Sequence, residues 1–555
     1  MSPNISELLT RIKELEEENR NLRNDKKYGL IWEDKPEEFN EKSRNSLPIL
    51  QEDTSLRIDD SENKPYNIII EWDNYHSLSA LSYTHQGKID VIYIDPPYNT
   101  GNEDFIYNDN YVNKEDSYRH SKWLSFMKKR LDLAKNLLKN DWVIFISIDD
   151  NEFAQLKLLC DSIFGEENSI WPILWQRASW WWNAKKVVKG HEYILCYSRV
   201  QKTLTQKNEK HKNVNYKKSE KYIQKWNEIY FINDDIIRKV FGKYESWVER
   251  RCEYEDLLVY KNEKIKAEVD EKIKKWEYIL KANPNNPNKH FICRLEKLEG
   301  KRMKLYSIIF WILNNEWKDD LEKIFWENNN FDYPKPVRFI KFILDSLEST
   351  NSIILDFFAW SGTTGHAVLE LNKEDWWNRQ FILCSNRENI KEDPEKNICR
   401  DITYERNKRV IQGYTNAKWE QVEGLGGNLR YYKTTFINKN PSIDDLRYSF
   451  IHKCDDLLCI KENTFTKIPL GEDIPTLRVF GRKNLFTVIL YDINLFETLK
   501  EKLRLFGQNE HISLYLFTMS HPEIFMDELR AIHSNIDLKN IPDDILETYL
   551  KIFNA

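Results

Sequence analysis

The chain is poor in glycine. At the usual share of about 7%, a protein of this length carries roughly 39 glycines; this one has 16 in 555 residues. It contains no run of 18 or more apolar residues, and its first thirty residues are charged throughout. The expectation is therefore a chain with neither a membrane-spanning helix nor a secretory leader. Its eight cysteines are scattered without a CxxC pair, and Cys454 and Cys459, the two nearest neighbours, have no histidines at ligand spacing. That argues against a disulfide framework and a structural zinc site, and fits a reducing cytoplasm. No GxxxxGK[ST] loop is present, so no nucleotide-driven helicase or nuclease motor is expected. Neither sign of charge dominates: 83 Lys/Arg against 89 Asp/Glu give −6, which argues against a uniformly basic polyanion binder. Tryptophan, by contrast, is abundant. Its 19 residues outnumber the glycines.

The length suggests roughly three or four domains, and 41% hydrophobic with 31% charged residues fits a folded, soluble protein. The charges are unevenly placed. Trp171 to Gly300 holds 28 Lys/Arg against 18 Asp/Glu, while the remainder holds 55 against 71. A basic segment in an acidic chain is a candidate polyanion surface; a solvated lysine-rich helical face explains the charges equally well. Near the start, Ile5, Leu8, Ile12, Leu15, Asn19 and Leu22 follow a heptad spacing. The reading is an N-terminal helix over 1–45, either a short coiled coil or an ordinary amphipathic helix. Residues 35–64 are polar and dotted with proline, as in a loose connection.

From Tyr66 the pattern becomes that of buried parallel strands alternating with helices. Asn67–Glu71, Asp90–Ile94, Val143–Ile148, Ser352–Phe358 and Gln380–Cys384 are short apolar, β-branched runs. Helical spacing marks Trp123 to Lys139 and 151–164. The fold class is α/β with a largely parallel sheet. A polar, helical-looking segment interrupts it between about 200 and 326, and mixed strands and helices follow residue 417.

Two motifs end such strands, where open α/β sheets bind ligands. The first is Asp95-Pro96-Pro97-Tyr98. A carboxylate and a backbone carbonyl can accept the two hydrogens of an exocyclic amine, the prolines stiffen the turn, and the tyrosine offers a face to a base. A proline-rich strand-to-helix turn is the plainer reading. The second is Asp356-Phe357-Phe358-Ala359-Trp360-Ser361-Gly362-Thr363-Thr364-Gly365, the setting of a glycine-rich cofactor loop.

The pair, with LIWEDKPE (30–37), YIDPPYNTGNEDFIYND (93–109), WLSFMKKRL (123–131), VIFISIDDNE (143–152), VVKGHEYILCYS (187–198), DYPKPVRFI (332–340), TYERNKRVIQGY (403–414) and GLGGNLRYYKT (424–434), resembles the β-group amino DNA methyltransferases. In particular it is similar to the modification subunits of type III restriction-modification systems. The resemblance implies a Rossmann-like S-adenosylmethionine-dependent sheet in permuted motif order. It divides the chain into a first catalytic part at 66–200, an inserted helical target-recognition region at 201–330, a second catalytic part at 331–416 and a C-terminal α+β region at 417–555. It further implies methyl transfer to adenine N6 in double-stranded DNA, without a metal, by a homodimer working beside a separate restriction subunit. Asp95 and the Pro96 carbonyl would hold the amino group, Pro97 would shape the turn, and Tyr98 would stack on the flipped base. Asp356, Phe358, Ser361, Gly362 and Thr363 would hold the cofactor, with Lys335 and Pro336 at its methionine end. Asn386 and Glu388 are the candidates for its ribose. His366 reads as packing, and Asp149 and Asp150 as a helix cap.

Trp360 stands where the resemblance expects a small residue. Trp72, Trp142, Trp180–Trp182, Trp317, Trp326, Trp376, Trp377 and Trp419 also stand where glycine is natural. The reading is that many of these are glycine in the organism, from a codon assigned tryptophan in translation. A genuine Trp360 would instead imply a DNA-recognition subunit without catalysis, and a cytosine-N4 enzyme is a further alternative.

Overall fold

The computed structural model describes residues 30–549 apart from short stretches, the longer being 38–45, 178–189, 208–221, 233–239, 241–252, 326–333, 388–396 and 439–452. The heptad segment, Trp180–Trp182, Trp326 and Glu388 lie outside the described residues. The chain divides into two compact units, one of Met1–Lys202 with Tyr306–Ala555 and one of Thr203–Leu305.

The first unit is built on a ten-stranded sheet. Its strands are β1 (Ser46–Glu52), β2 (Tyr66–Glu71), β3 (Ile89–Ile94), β4 (Leu138–Ile148), β5 (Ser169–Gln176), β6 (His191–Ser198), β7 (Ile308–Ile309), β8 (Ile353–Asp356), β9 (Gln380–Ser385) and β10 (Asn428–Asn438). Their spatial order is β1-β10-β2-β9-β8-β3-β4-β6-β5-β7. The six strands from β10 to β4 run parallel to one another, and β6 turns the sheet antiparallel beside β4. Ile69, Ile70, Ile92 and Ile94 are fully buried, as strands covered on both faces require. Helices α1 (Asn74–Thr84), α2 (Arg119–Leu137), α3 (Phe153–Phe164), α4 (Val337–Asp345), α5 (Thr363–Asp375) and α6 (Glu405–Gln412) connect or flank these strands. Strands β3 and β8 are direct neighbours in register, Ile354 opposite Val91 and Leu355 opposite Ile92. That adjacency opens both sequence motifs side by side at the carboxyl ends of two central strands.

Two expectations need correction. The segment 35–64 is not simply a loose connection. Ser46-Leu47-Pro48-Ile49-Leu50 is buried and pairs antiparallel with β10 over seven residues. Its proline is tolerated because β1 is an edge strand, where one row of N–H groups needs no partner. Nor are the described residues of the inserted region mainly helical. In the second unit Tyr222–Lys225, Glu228–Ile232, Asn286–Lys297 and Tyr278–Asn283 form a four-stranded antiparallel sheet, beside helices Asp256–Val259 and Glu263–Lys274. Its core is small, with Leu257, Val269 and Ile292 at its centre. Strands with one solvated face carry lysine and glutamate between their apolar residues, which reads like an exposed helix when only charge density is weighed. Residues from Tyr306 on belong to the first unit. The C-terminal region is α+β as expected: a five-stranded sheet with Leu485–Leu490 and His511–Phe517 at its centre.

Candidate active site

Asp95 leaves the end of β3 and meets a cation. Lys335 Nζ lies 3.0 Å from Oδ1 and 2.9 Å from Oδ2 of Asp95, and also donates to the Tyr98 hydroxyl at 2.9 Å. That hydroxyl donates to Asp95 Oδ1 at 2.8 Å and lies 3.2 Å from Glu192 Oε2, the alternative acceptor of its one hydrogen. Glu192 completes the cluster, 3.3 Å from Lys335 and 2.9 Å from Arg177. The topology explains the meeting. Glu192 begins β6, which runs antiparallel beside β4, and Lys335 precedes α4, whose N-cap is Pro336. Burial pushes the Asp95 carboxyl above the ordinary range, against the pull of Lys335. Burial alone would depress Lys335, but the carboxylates of Asp95 and Glu192 outweigh it and raise the ammonium. Lys335 is thus a fixed positive charge under Asp95.

The loop after β8 is anchored on two sides. Asp356 Oδ2 accepts from Thr364 Oγ1 at 2.6 Å and Oδ1 from the Phe358 N–H at 3.0 Å. Burial nevertheless drives its carboxyl up to about 7. Asn74 of α1 donates to the Phe357 carbonyl at 3.0 Å and is itself held by buried Arg130, which also pairs with Glu37 and Asp73. From the other side, Thr403 donates to the Trp360 carbonyl. Arg406 donates to Ser361 Oγ and Thr363 Oγ1 at 3.1 and 2.8 Å, and Asn407 donates to the Gly362 carbonyl at 3.2 Å. Gly362 has φ +73°, and a Cβ there would meet Asn407 Nδ2 at 2.5 Å and the Thr403 carbonyl oxygen at 3.0 Å, so only glycine suits the position.

Both motifs face one cavity of about 450 Å³, within the usual range of about 300–1,000 Å³ for small-molecule sites. Asp95, Pro96, Pro97, Tyr98, Lys335, Asp356, Phe358, Ser361 and Thr363 line it, whereas Pro336 and Gly362, both buried, are not part of its lining. Trp360 lines it too, with its indole Nε1 donating to the Asp95 main-chain carbonyl at 2.7 Å. His366 is buried and contacts Glu370 at 3.0 Å. Asp149 accepts from the Asn151 N–H at 2.9 Å. Asn386 follows β9, away from this cavity's lining. Among the described residues, no cluster of three or more His, Cys, Asp or Glu could hold a metal ion, and no helix is long and apolar enough to cross a membrane.

Several residues of the site carry no signal as single letters. Glu192 and Arg177 reach it only through the antiparallel crossing of β5 and β6. Thr403, Arg406 and Asn407 have the i, i+3, i+4 spacing of one helical face, a signal that could have marked them as a unit. A third group braces the turn after Tyr98. Asn99 is fully buried with φ +56°, and donates to Glu152 Oε1 at 2.6 Å, where His120 also binds at 2.7 Å. Burial lifts the Glu152 carboxyl to about 8.

The sequence that builds this site has counterparts among known proteins. The chain is 32% identical over 383 residues to the type III restriction-modification enzyme StyLTI Mod subunit of Salmonella typhimurium, covering 63% of this chain and 58% of that one. It is 26% identical over 567 residues to the EcoP15I Mod subunit of Escherichia coli, covering 88% and 81%. To the type II methyltransferase M.KpnI of Klebsiella pneumoniae it is 29% identical over 388 residues, covering 63% and 89%. A family model described as DNA methylase matches residues 89–396, more than half of the chain and both motifs of the site. The chain belongs to the DNA methylase family.

Proposed function

We propose that the chain transfers a methyl group from S-adenosylmethionine to the N6 amino group of adenine in double-stranded DNA, as the modification and recognition subunit of a type III restriction-modification system. The observation that carries this reading is the opening of the Asp95 turn and the Asp356 loop into one cavity from adjacent parallel strands. The relatives named Mod subunits and methyltransferases support the wider role.

The lining fits the cofactor at all but one position. The buried carboxylate of Asp356 and the pair at Asp95 suit its positive charges, and Phe358 and Ile340 give apolar wall. The exception is Trp360, whose indole covers ground between the two motifs. Ser361, Thr363 and Phe358 would hold the cofactor, with Lys335 and Pro336 bordering its methionine end. When bound, S-adenosylmethionine supplies an electrophilic methyl group carried on a sulfonium.

Asp95 does the work on the base. Its Oδ1 accepts from Lys335 and Tyr98, and its Oδ2 from Lys335 alone. A carboxylate has about four acceptor sites, so Oδ2 keeps one for an amino hydrogen. The Pro96 carbonyl takes the second hydrogen. Both bonds would draw the amine from planar toward tetrahedral and free its lone pair for the methyl carbon. The transfer would leave a neutral thioether, the surplus amine proton would depart along the bond to Asp95, and alignment supplies much of the remaining acceleration. The base must leave the duplex first, at a cost of a few kcal/mol. Tyr98 offers its ring as a stacking face, and the basic segment between Trp171 and Gly300 offers charge to phosphates. A homodimer and a separate restriction subunit complete the proposed assembly. The test is methyl transfer from tritiated cofactor to duplex DNA: label retained in DNA supports the reading, and its absence with the correctly decoded chain defeats it.

A further inference from the structure

Tryptophan falls into two structural classes in this chain. Trp123 and Trp175 are fully buried, and each ring N–H donates to a main-chain carbonyl, of Pro97 at 2.8 Å and of Ile312 at 2.7 Å. These are ordinary places for an indole, with an apolar body packed and its one donor satisfied. Trp376 and Trp419 are the reverse. They are 81% and 74% exposed, and their backbones are left-handed, with φ +61° and +62°. Trp360 shares that backbone, at φ +45°.

Left-handed conformation is rare for any residue with a Cβ and is a true outlier for a bulky one. Among the described residues seven non-glycine positions have φ between +45° and +62°, and three of them are tryptophan. The chain as a whole has 19 tryptophans in 555 residues. Two of the remaining four are asparagine, which tolerates the conformation; an indole has no such property.

Each of the three occupies a place that a glycine normally fills. Trp376 is the left-handed residue that ends α5, the position at which helices close on glycine. Trp419 donates its N–H to the Asn416 carbonyl at 2.9 Å, between the paired strands Gly413–Thr415 and Gln421–Glu423. It is the left-handed residue that follows a tight turn in a hairpin. Trp360 lies in the loop between β8 and α5, two residues before Gly362, itself at φ +73°.

We infer that positions 360, 376 and 419 are glycine in the protein as its organism makes it, encoded by TGA read as glycine rather than tryptophan. The structure narrows the compositional reading. Trp142 lies within β4, buried against Phe164 at a ring distance of 5.3 Å. Trp317 lies within the helix Glu316–Ile324, and Trp72, at φ +159°, is close to extended. None of these three, nor Trp377, has a left-handed backbone to require glycine. At 360 the exchange also has a consequence for the site, which rests on the proposed methyl transfer: glycine removes the indole from the cavity and frees the Asp95 carbonyl.

The test needs no activity. The gene and the tryptic peptides of the protein purified from its own cells are read at these positions. The expected result is TGA with glycine-mass peptides at 360, 376 and 419, and TGG with tryptophan-mass peptides at 123 and 175. TGG or a tryptophan-mass peptide at any of the first three overturns the inference there. A second arm compares thermal midpoints. Trp376→Gly and Trp419→Gly, both away from the cavity, are expected to raise the midpoint of the full chain. A lower midpoint overturns the backbone argument.

Discussion

The indole Nε1 of Trp360 donates to the main-chain carbonyl of Asp95 at 2.7 Å, tying together two loops 265 positions apart in the chain. The bond bridges the loop proposed to hold the cofactor and the turn proposed to hold the base, and the indole lines the cavity between them. Trp360→Gly is expected to tighten S-adenosylmethionine binding by about tenfold or more, equivalent to about 1.4 kcal/mol. Titration calorimetry on the two chains measures it; weaker binding by the glycine variant contradicts the assignment of that space to the cofactor.

Asp95→Ala removes the carboxylate that accepts the amino hydrogen. DNA binding is expected to persist, while methyl transfer from tritiated cofactor falls by about a thousandfold or more, the scale of losing a preorganised polar contact to the reacting group. Substantial label in DNA from this variant contradicts the role given to Asp95.

Lys335→Met tests the charge beneath Asp95. Lys335 lowers the Asp95 carboxyl against burial, so its loss raises that carboxyl further. Transfer requires the ionised form, and the acid limb of kcat/KM against pH is therefore expected to move to higher pH. An unmoved limb with reduced kcat shows Lys335 to be structural only. Glu192→Gln, which takes a negative charge away from Asp95, is expected to shift the limb the opposite way.

Much of this site was legible in the sequence, and the reasons for the rest are physical. Isoleucine-rich runs such as IDVIYI and SIILDFF mark parallel strands because both faces are covered. The turns that end them show their chemistry as letters. The bracing residues do not, because neighbours in the sheet are not neighbours in the chain. Glu192 reaches Lys335 through the order β3-β4-β6. Arg406 reaches Ser361 from a helix after the next strand. Strand β1 was hidden by Pro48, which excludes a central strand but not an edge one.

Gly362→Ala places a Cβ against Asn407 and the Thr403 carbonyl at φ +73°. A destabilisation of about 1–2 kcal/mol is expected from the backbone alone. A lower denaturant midpoint and weaker cofactor binding are the readouts. An unchanged midpoint contradicts the close packing of loop and helix.

Glu152 predicts a pH dependence of stability. Its carboxyl is raised by burial from 4.5 to about 8 in the folded chain. Between those values the unfolded chain has lost the proton and the folded chain keeps it. Stability from this group is present in full below pH 4.5 and is lost as pH rises to about 8, at about 1.4 kcal/mol per pH unit. Glu152→Gln lacks that slope. Its stability relative to the parent chain is expected to improve between pH 5 and pH 8, measured by denaturant unfolding at both values; a constant difference contradicts the buried, protonated Glu152.

Methyl transfer to adenine N6 is read from the nucleosides of the product DNA. Duplex DNA is incubated with S-adenosylmethionine and the chain carrying glycine at 360, 376 and 419, then digested to nucleosides and resolved by mass. N6-methyladenine in duplex DNA, abolished by Asp95→Ala, is the expected product. N4-methylcytosine, or DNA without any methylated nucleoside, would contradict it.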